Sequence, residues 1–185
     1  LASASPRRRE LLYFLCDEFE VIPADIDETV PDDVKVNDAS EYLAKKKCMA
    51  VAAAHPDALV IGSDTIVVCD DTILGKPVDE SDARKMLCML SGRKHSVISG
   101  IAAACGGKVM SASDVTTVVF SDLSDEFLDE YIAAGSPLDK AGAYGIQELD
   151  EATAHIEQGS LTNVIGLPIE KLTQLLYDLL EAEDT

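Results

Sequence analysis

The chain has 185 residues, enough for a single domain over residues 1–185 with room for two lobes, and its 47% hydrophobic content suffices for a sizeable core. It carries 34 Asp and Glu against 15 Lys and Arg, a formal net charge of −19. This acidic excess argues against sequence-independent nucleic-acid binding and against an anionic membrane surface, because both need a basic footprint. We therefore expect no nucleic-acid and no membrane partner, and we expect any phosphate group to bind in a local pocket.

Five widely spaced cysteines form no CxxC pair, so the sequence predicts neither a zinc ribbon nor a disulfide framework. No secretory signal is visible, and the longest apolar runs are too short to cross a bilayer. The simplest compartment for such a chain is a reducing cytoplasm.

Helical and strand patterns follow one another without regular βαβ alternation. In the first half of the chain they predict a helix beginning at Pro6, a strand over 19–27, a helix over 39–54, a strand within 58–71 with a short return, and a helix over 79–90. In the second half they predict a hairpin around Gly106 and Gly107, a helix from Ser124 to Gly135, and a glycine-bearing loop over 136–147. A short strand near 153–158 and a helix beginning at Pro168 complete the order. This order predicts an α/β fold with a mixed sheet flanked by helices, rather than a doubly wound parallel sheet.

Three consecutive arginines, Arg7 to Arg9, open the first predicted helix in "LASASPRRREL". Ser5 is suited to the N-cap and Pro6 to the first helical position. A helix start offers unpaired backbone N–H groups, and the guanidinium fork matches phosphate oxygens, so the segment is a candidate anion site. An ordinary helix start with solvated arginines is the alternative.

Asp64 interrupts an apolar strand in "IGSDTIVV". A carboxylate inside such a run needs a cation, a metal or hydrogen-bond donors, unless it faces solvent on an edge strand. Lys76 in "ILGKP" and Lys140 in "DKAGAYGIQ" lie in turns or small-residue loops, where each alone is typical of a surface charge. Glu28 lies in an acidic loop that is also typical of a solvated segment.

Several catalytic motifs are missing. The sequence has no GxxxxGK[ST], no GxGxxG opening a βαβ unit and no GxSxG, and its three histidines are far apart. A histidine-rich metal site is therefore disfavoured, which leaves hard-cation chemistry by carboxylates with Mg²⁺ or Mn²⁺.

Taken together and in order, these stretches resemble the Maf family of nucleoside triphosphate pyrophosphatases. The matching segments are "LASASPRRRELL", "DET", "KKKCMAVA", "IGSDTIVV", "LGKP", "DARKMLCMLSGRKHSV", "PLDKAGAYGIQ" and "NVIGLPI", which run from Leu1 to Pro168. The resemblance implies a curved sheet, two lobes around a central cleft, a divalent metal (Mg²⁺ or Mn²⁺), a homodimer, and hydrolysis of a nucleoside triphosphate to a monophosphate and pyrophosphate.

The resemblance also assigns roles to individual residues. Glu28 and Asp64 match the family's acidic catalytic and metal-binding residues, with Asp64 as the proton acceptor that activates water. The residues matched to phosphate binding are Ser3, Arg7 and Arg8 at the start of the chain and the lysines Lys47, Lys76 and Lys140 near the triphosphate, with Lys76 placed in the catalytic set. Base preference is matched to Arg7, Thr65 and Gln147. Two departures stand out: "KKKC" leaves Lys45 and Lys46 as alternatives to Lys47, and "GIQELDEATAHIEQG" is more acidic than the family's loop.

The Thr65 and "DKAGAYGIQ" pattern resembles the branch that prefers dTTP and UTP, with modified pyrimidine nucleotides as a further substrate class. An amide such as that of Gln147 both donates and accepts, which suits the imide edge of uracil or thymine. Two alternatives stay open at this point: an N7-methyl-GTP pyrophosphatase, and a non-catalytic nucleotide-binding regulator of septation.

Overall fold

The computed structural model of the chain describes residues 1–135 and 137–181. The helices are α1 (Pro6–Leu12), α2 (Ala39–Ala54), α3 (Glu80–Leu90), α4 (Asp125–Ala133), α5 (Leu161–Ile165) and α6 (Ile169–Glu181), and the strands are β1 (Val60–Cys69), β2 (Thr72–Leu74), β3 (Lys94–Cys105), β4 (Lys108–Phe120) and β5 (Ala154–Gln158). Among the described residues, no helix is both long enough and apolar enough to cross a membrane.

The strands form one open sheet in the order β2-β1-β3-β4-β5. The sheet is antiparallel, with Val67 opposite Leu74 in the β1–β2 pair and Phe120 opposite Ala154 in the β4–β5 pair. This confirms the predicted α/β class with helices flanking a sheet, and the sheet is antiparallel where the sequence predicts a mixed one. The curvature of the sheet stays a prediction.

The chain divides into two compact units. The first comprises Leu1–Thr65, Ser99–Asp114 and the described residues from Thr162 onward, and the second comprises Ile66–Ile98 and Val115–Leu161. Strands β1, β3 and β4 each contribute residues to both units. The two units correspond to the two expected lobes, while the single-domain organisation and the cleft stay predictions.

Two glycines determine how α2 packs in the first unit. A Cβ on Gly62 of β1 would lie 2.5 Å from the Ala44 carbonyl oxygen, and one on Gly100 of β3 would lie 2.2 Å from the Ser40 carbonyl oxygen. Any larger residue would therefore displace the helix backbone. Around this contact, Ala2, Ala44, Cys48, Val51, Val60, Ala102 and Ala104 form a buried cluster.

In the second unit, three aromatic rings pack edge-to-face. The His95 ring lies 5.1 Å from Phe120 and 5.4 Å from Tyr144, and its Nε2 lies 2.7 Å from the Tyr144 hydroxyl. Burial lowers the pKa of His95 to about 4, so the imidazole is neutral. Tyr144 belongs to the glycine-bearing loop, and its contacts tie that loop to the sheet.

Most predicted elements are confirmed, including the α2 bounds 39–54, the Ser5 cap and the hairpin at 106–107. The predicted glycine-bearing loop forms three short 3-10 turns between Pro137 and Glu148, while its first residue, Ser136, lies outside the described residues. The short helix α5 was not predicted.

The predicted strand over 19–27 is wrong, because the structure has no regular secondary structure there. The alternating pattern reflects burial instead, since Ile22 and Ala24 pack against the core of the first unit. Pro23 between them has no N–H to give to a strand ladder.

Candidate active site

A buried ion pair joins α2 to β1 in the first unit. The Nζ of Lys47 lies 2.7 Å from Oδ1 of Asp64, and both residues are at most 9% exposed. The same Nζ lies 2.9 Å from Oε2 of Glu28, whose side chain is 57% exposed. One ammonium therefore holds two carboxylates from different segments of the chain. Because Asp64 is only 8% exposed, the alternative interpretation of it as a solvent-facing edge residue is wrong.

Local geometry explains why Lys47, and not its neighbours, meets Asp64. Residues two apart in a strand share a face, so Asp64 faces the same side of β1 as Gly62, against which α2 packs. Lys47 lies on the buried helix face that also contains Ala44, three positions before it, and Val51, four positions after it. Lys45 is exposed, and the Lys46 ammonium donates to the Asp27 carbonyl oxygen on the surface. This geometry favours Lys47 among the three lysines of "KKKC".

Arg8 lies at the centre of a second group of polar side chains. Its Nη1 donates to Ser3 Oγ at 3.1 Å, its Nη2 to Thr65 Oγ1 at 3.0 Å, and its Nε to the Gly166 carbonyl oxygen at 2.9 Å. A Cβ on Gly166, whose φ is +120°, would lie 3.1 Å from Thr65 Oγ1, so glycine keeps the carbonyl within reach.

Charge and burial act in opposite directions on Arg8. Burial lowers the pKa of the guanidinium, the Asp64 carboxylate raises it, and the neighbouring Arg7 lowers it. Because an arginine pKa lies far above neutrality, Arg8 remains a cation. Arg8 is half-buried, whereas Arg9 is exposed.

A chain of hydroxyl groups extends this arrangement into β3. Thr65 Oγ1 and Ser99 Oγ lie 2.8 Å apart, and Ser99 Oγ donates to the Asn163 carbonyl oxygen at 2.8 Å. Ser63 Oγ contacts the carbonyl oxygens of Gly100 and Gly166, each at 2.9 Å. Sequence reasoning missed Ser63 and Ser99, although Ser63 stands directly before Asp64 in the motif and is a polar residue in an apolar strand.

The remaining candidates lie in the second unit. Lys140 is buried, with its Nζ 2.9 Å from Asp139 Oδ1 and 3.1 Å from Glu148 Oε1, so the reading as a solvated surface charge is wrong. Tyr131 orients that carboxylate, because its hydroxyl donates to Glu148 Oε2 at 2.7 Å. Lys76 and Gln147 are exposed. The sequence did not single out Glu148 or Tyr131.

The family model described as "Maf-like protein" matches residues 1–179. The chain belongs to the Maf family. It is 47% identical over 176 residues to a dTTP/UTP pyrophosphatase of Phocaeicola vulgatus, covering 93% of this chain and 91% of that protein. It is 44% identical over 179 residues to one of Thermosipho africanus (96% and 91%) and 43% identical over 179 residues to one of Aquifex aeolicus (97% and 94%).

In this Maf-like chain, six of the candidate residues form two groups within the first unit, each joined by hydrogen bonds or ion pairs. One group is Glu28, Lys47 and Asp64, and the other is Ser3, Arg8 and Thr65. Arg7 lies beside Arg8 on the half-exposed face of α1. Within residues 1–135 and 137–181, no three His, Cys, Asp or Glu side chains cluster in a way that could hold a metal ion on their own.

Proposed function

We propose that this Maf-like chain hydrolyses dTTP and UTP to the nucleoside monophosphate and pyrophosphate. The observation that carries the proposal is the buried Asp64, held by Lys47 and flanked by Glu28, in a chain 43–47% identical to proteins named dTTP/UTP pyrophosphatase. A buried ion pair with an exposed carboxylate beside it is a poor stabilising device, because desolvation offsets much of its attraction. It is well suited to holding charge in place for catalysis.

In the proposed reaction, water attacks the α-phosphorus, the bond between that phosphorus and the α–β bridging oxygen breaks, and pyrophosphate leaves. Asp64 accepts the proton of the attacking water. The contact with Lys47 uses Oδ1, so we assign proton acceptance to Oδ2. Lys47 fixes the orientation of the carboxylate, which is the positioning that phosphoryl transfer requires.

The Arg8 group is suited to bind phosphate oxygens. A guanidinium has five N–H donors, and three of them bond to described residues of the chain, which leaves two for a ligand. Ser3 Oγ accepts from Arg8 and from the Ser5 N–H, so its own hydrogen is also available to donate. Arg7 supplies further positive charge for the leaving pyrophosphate, and the family resemblance assigns Lys76 and Lys140 of the second unit to phosphate binding.

Following the family resemblance, we assign base selection to Arg7 and Thr65 of the first unit and to Gln147 of the second unit. Gln147 is exposed and carries both a donor and an acceptor, which matches the alternating groups of an imide edge. Thr65 is half-exposed and already ordered by its hydrogen bonds, so it can contact a ligand without losing much side-chain freedom.

Glu28 and Asp64 fit a Mg²⁺ or Mn²⁺ ion of the kind that takes one or two carboxylates from the protein and completes its shell with water and phosphate oxygens. Both carboxylates contact one Nζ atom, so they lie close enough to share a cation. Bound there, such an ion would polarise phosphoryl oxygens and neutralise charge on the substrate.

The five cysteines are free thiols, which supports the proposal that the enzyme acts in the reducing cytoplasm. A homodimer stays a prediction from the family resemblance, as does the absence of nucleic-acid and membrane partners.

The experiment is a substrate panel of dTTP, UTP and N7-methyl-GTP with Mg²⁺ or Mn²⁺, assayed for pyrophosphate and orthophosphate separately. We expect pyrophosphate from dTTP and UTP, and a loss of at least about a hundredfold in kcat for Asp64→Asn, which removes the proton acceptor. Lys45→Met, a matched change at an exposed position of α2, should leave turnover within twofold. Faster turnover of N7-methyl-GTP, or binding of dTTP and UTP without hydrolysis, would overturn the proposal in favour of one of the two alternatives.

A further inference from the structure

We propose that Ser99 fixes the direction of the Thr65 hydroxyl so that Thr65 only accepts a hydrogen bond from the nucleotide base, which selects bases that carry an N3–H group. This inference rests on the proposed function, because it takes Thr65 as part of the surface that contacts the base. Ser99 acts here as a positioning residue, since it reaches the base only through Thr65.

The direction of the hydroxyl chain follows from its last member. Ser99 is fully buried, and its Oγ lies 2.8 Å from the backbone carbonyl oxygen of Asn163. A carbonyl only accepts, and a hydroxyl has one hydrogen, so Ser99 donates that hydrogen to Asn163. Ser99 can then only accept from Thr65, whose Oγ1 lies 2.8 Å away. The hydrogen of Thr65 is therefore committed to Ser99.

The contact with Arg8 further limits the hydrogen bonds that the Thr65 hydroxyl can make. Arg8 Nη2 donates to Thr65 Oγ1 at 3.0 Å, and a guanidinium nitrogen cannot accept in return. A hydroxyl has one hydrogen and two lone pairs, so Thr65 has one lone pair left and no hydrogen to offer. Thr65 is only partly buried, and the inference takes this lone pair as the one that a base contacts.

A Thr65 hydroxyl that can only accept a hydrogen bond distinguishes uracil and thymine from cytosine at ring position 3. Uracil and thymine carry an N–H there and can donate to Thr65. Cytosine presents a lone pair at the same position, so two acceptors would face each other and neither would be paired. Leaving such groups unpaired in a desolvated site costs more than the hydrogen bond itself contributes, which is why a fixed acceptor gives strong discrimination.

The test compares kcat/KM for UTP and CTP in the full chain and in single variants. Ser99→Ala removes the acceptor of the Thr65 hydrogen, so Thr65 becomes able to rotate and donate. We expect the UTP-to-CTP ratio of kcat/KM to fall by about tenfold, with a gain for CTP as part of the change. Ser99→Thr keeps the hydroxyl and should keep the ratio within about twofold.

Ser63→Ala is the matched control. Ser63 is equally buried, and its hydroxyl lies 2.9 Å from two backbone carbonyl oxygens, whereas the hydrogen bonds of Thr65 Oγ1 go to Arg8 and Ser99. It should leave the ratio unchanged whatever it does to the rate. If Ser99→Ala does not fold, Ser99→Cys takes its place, because a thiol is a weak acceptor and should shift the ratio in the same direction by a smaller factor.

The outcomes distinguish a failure of the proposed function from a failure of the inference about Ser99. If the unmodified chain hydrolyses neither UTP nor CTP, the proposed function fails. If it prefers UTP and the Ser99 variants keep the full preference, the inference about Ser99 is overturned while the proposed function stands. An equal fall of the ratio in Ser63→Ala and Ser99→Ala would indicate general loosening of the site and would also overturn the inference.

Discussion

Replacing Lys47 by methionine isolates the energetic role of the buried ion pair. Methionine keeps most of the apolar stem but removes the ammonium that lies 2.7 Å from Asp64 Oδ1. Both side chains are only 11% exposed, so water cannot replace the lost partner. Leaving one charge of a buried pair without its partner costs about 3–5 kcal/mol of unfolding free energy. With a slope of about 2 kcal/mol per molar urea, the midpoint should fall by about 2 M.

The assay is urea unfolding followed by circular dichroism, with two comparisons. Glu28→Gln removes the exposed partner of the same ammonium and should cost at most about 1 kcal/mol. Adding Asp64→Asn to Lys47→Met removes the stranded charge, so the double variant should recover at least half of the loss. If Lys47→Met and Glu28→Gln destabilise the chain equally, or if the double variant recovers nothing, the reasoning about burial is refuted.

Two further predictions concern the core. Because the pKa of His95 is lowered to about 4 from 6.5, protons bind the unfolded chain more tightly, so stability falls as pH drops through that window, by up to about 3 kcal/mol. Urea unfolding at pH 7 and pH 4.5 should show a smaller loss in His95→Gln than in the exposed control His55→Gln; equal losses would contradict the prediction. Gly100→Ala should lower the unfolding free energy by about 3 kcal/mol, because its Cβ would lie 2.2 Å from the Ser40 carbonyl oxygen. Gly75→Ala, with no atom within 4 Å of the new Cβ, should stay within about 0.5 kcal/mol in the same assay, and a similar loss in both would contradict the close-packing argument.

The sequence predicts those elements that local chemistry determines. Helix α2 has its bounds 39–54 because a run rich in Ala and Lys, both strong helix formers, ends at "HPD", and both signals act within a few residues. The strand over 19–27 fails as a prediction because alternation reports burial, and burial of Ile22 and Ala24 comes from packing on a cluster built elsewhere in the chain. Periodicity alone does not distinguish a strand from an extended segment lying on a core.

In the candidate site, too, local sequence patterns do not predict contacts between distant parts of the chain. Asp64 is recognisable because a carboxylate in an apolar strand needs a partner, but the sequence leaves three adjacent lysines as candidates for that partner. Only the close approach of α2 at Gly62 brings Lys47 to Asp64. Ser99 gives no signal in the sequence, because its importance lies in a hydrogen bond to a residue 34 positions away.

The position of attack on the triphosphate is the central claim of the proposed function, and one isotope measurement tests it. The chain is supplied with UTP and a divalent metal in H₂¹⁸O, and the products are separated and weighed by mass spectrometry. Attack of water on the α-phosphorus, with Asp64 accepting the proton, predicts one ¹⁸O atom in UMP and none in pyrophosphate. Label in pyrophosphate, or release of labelled orthophosphate, would contradict the account.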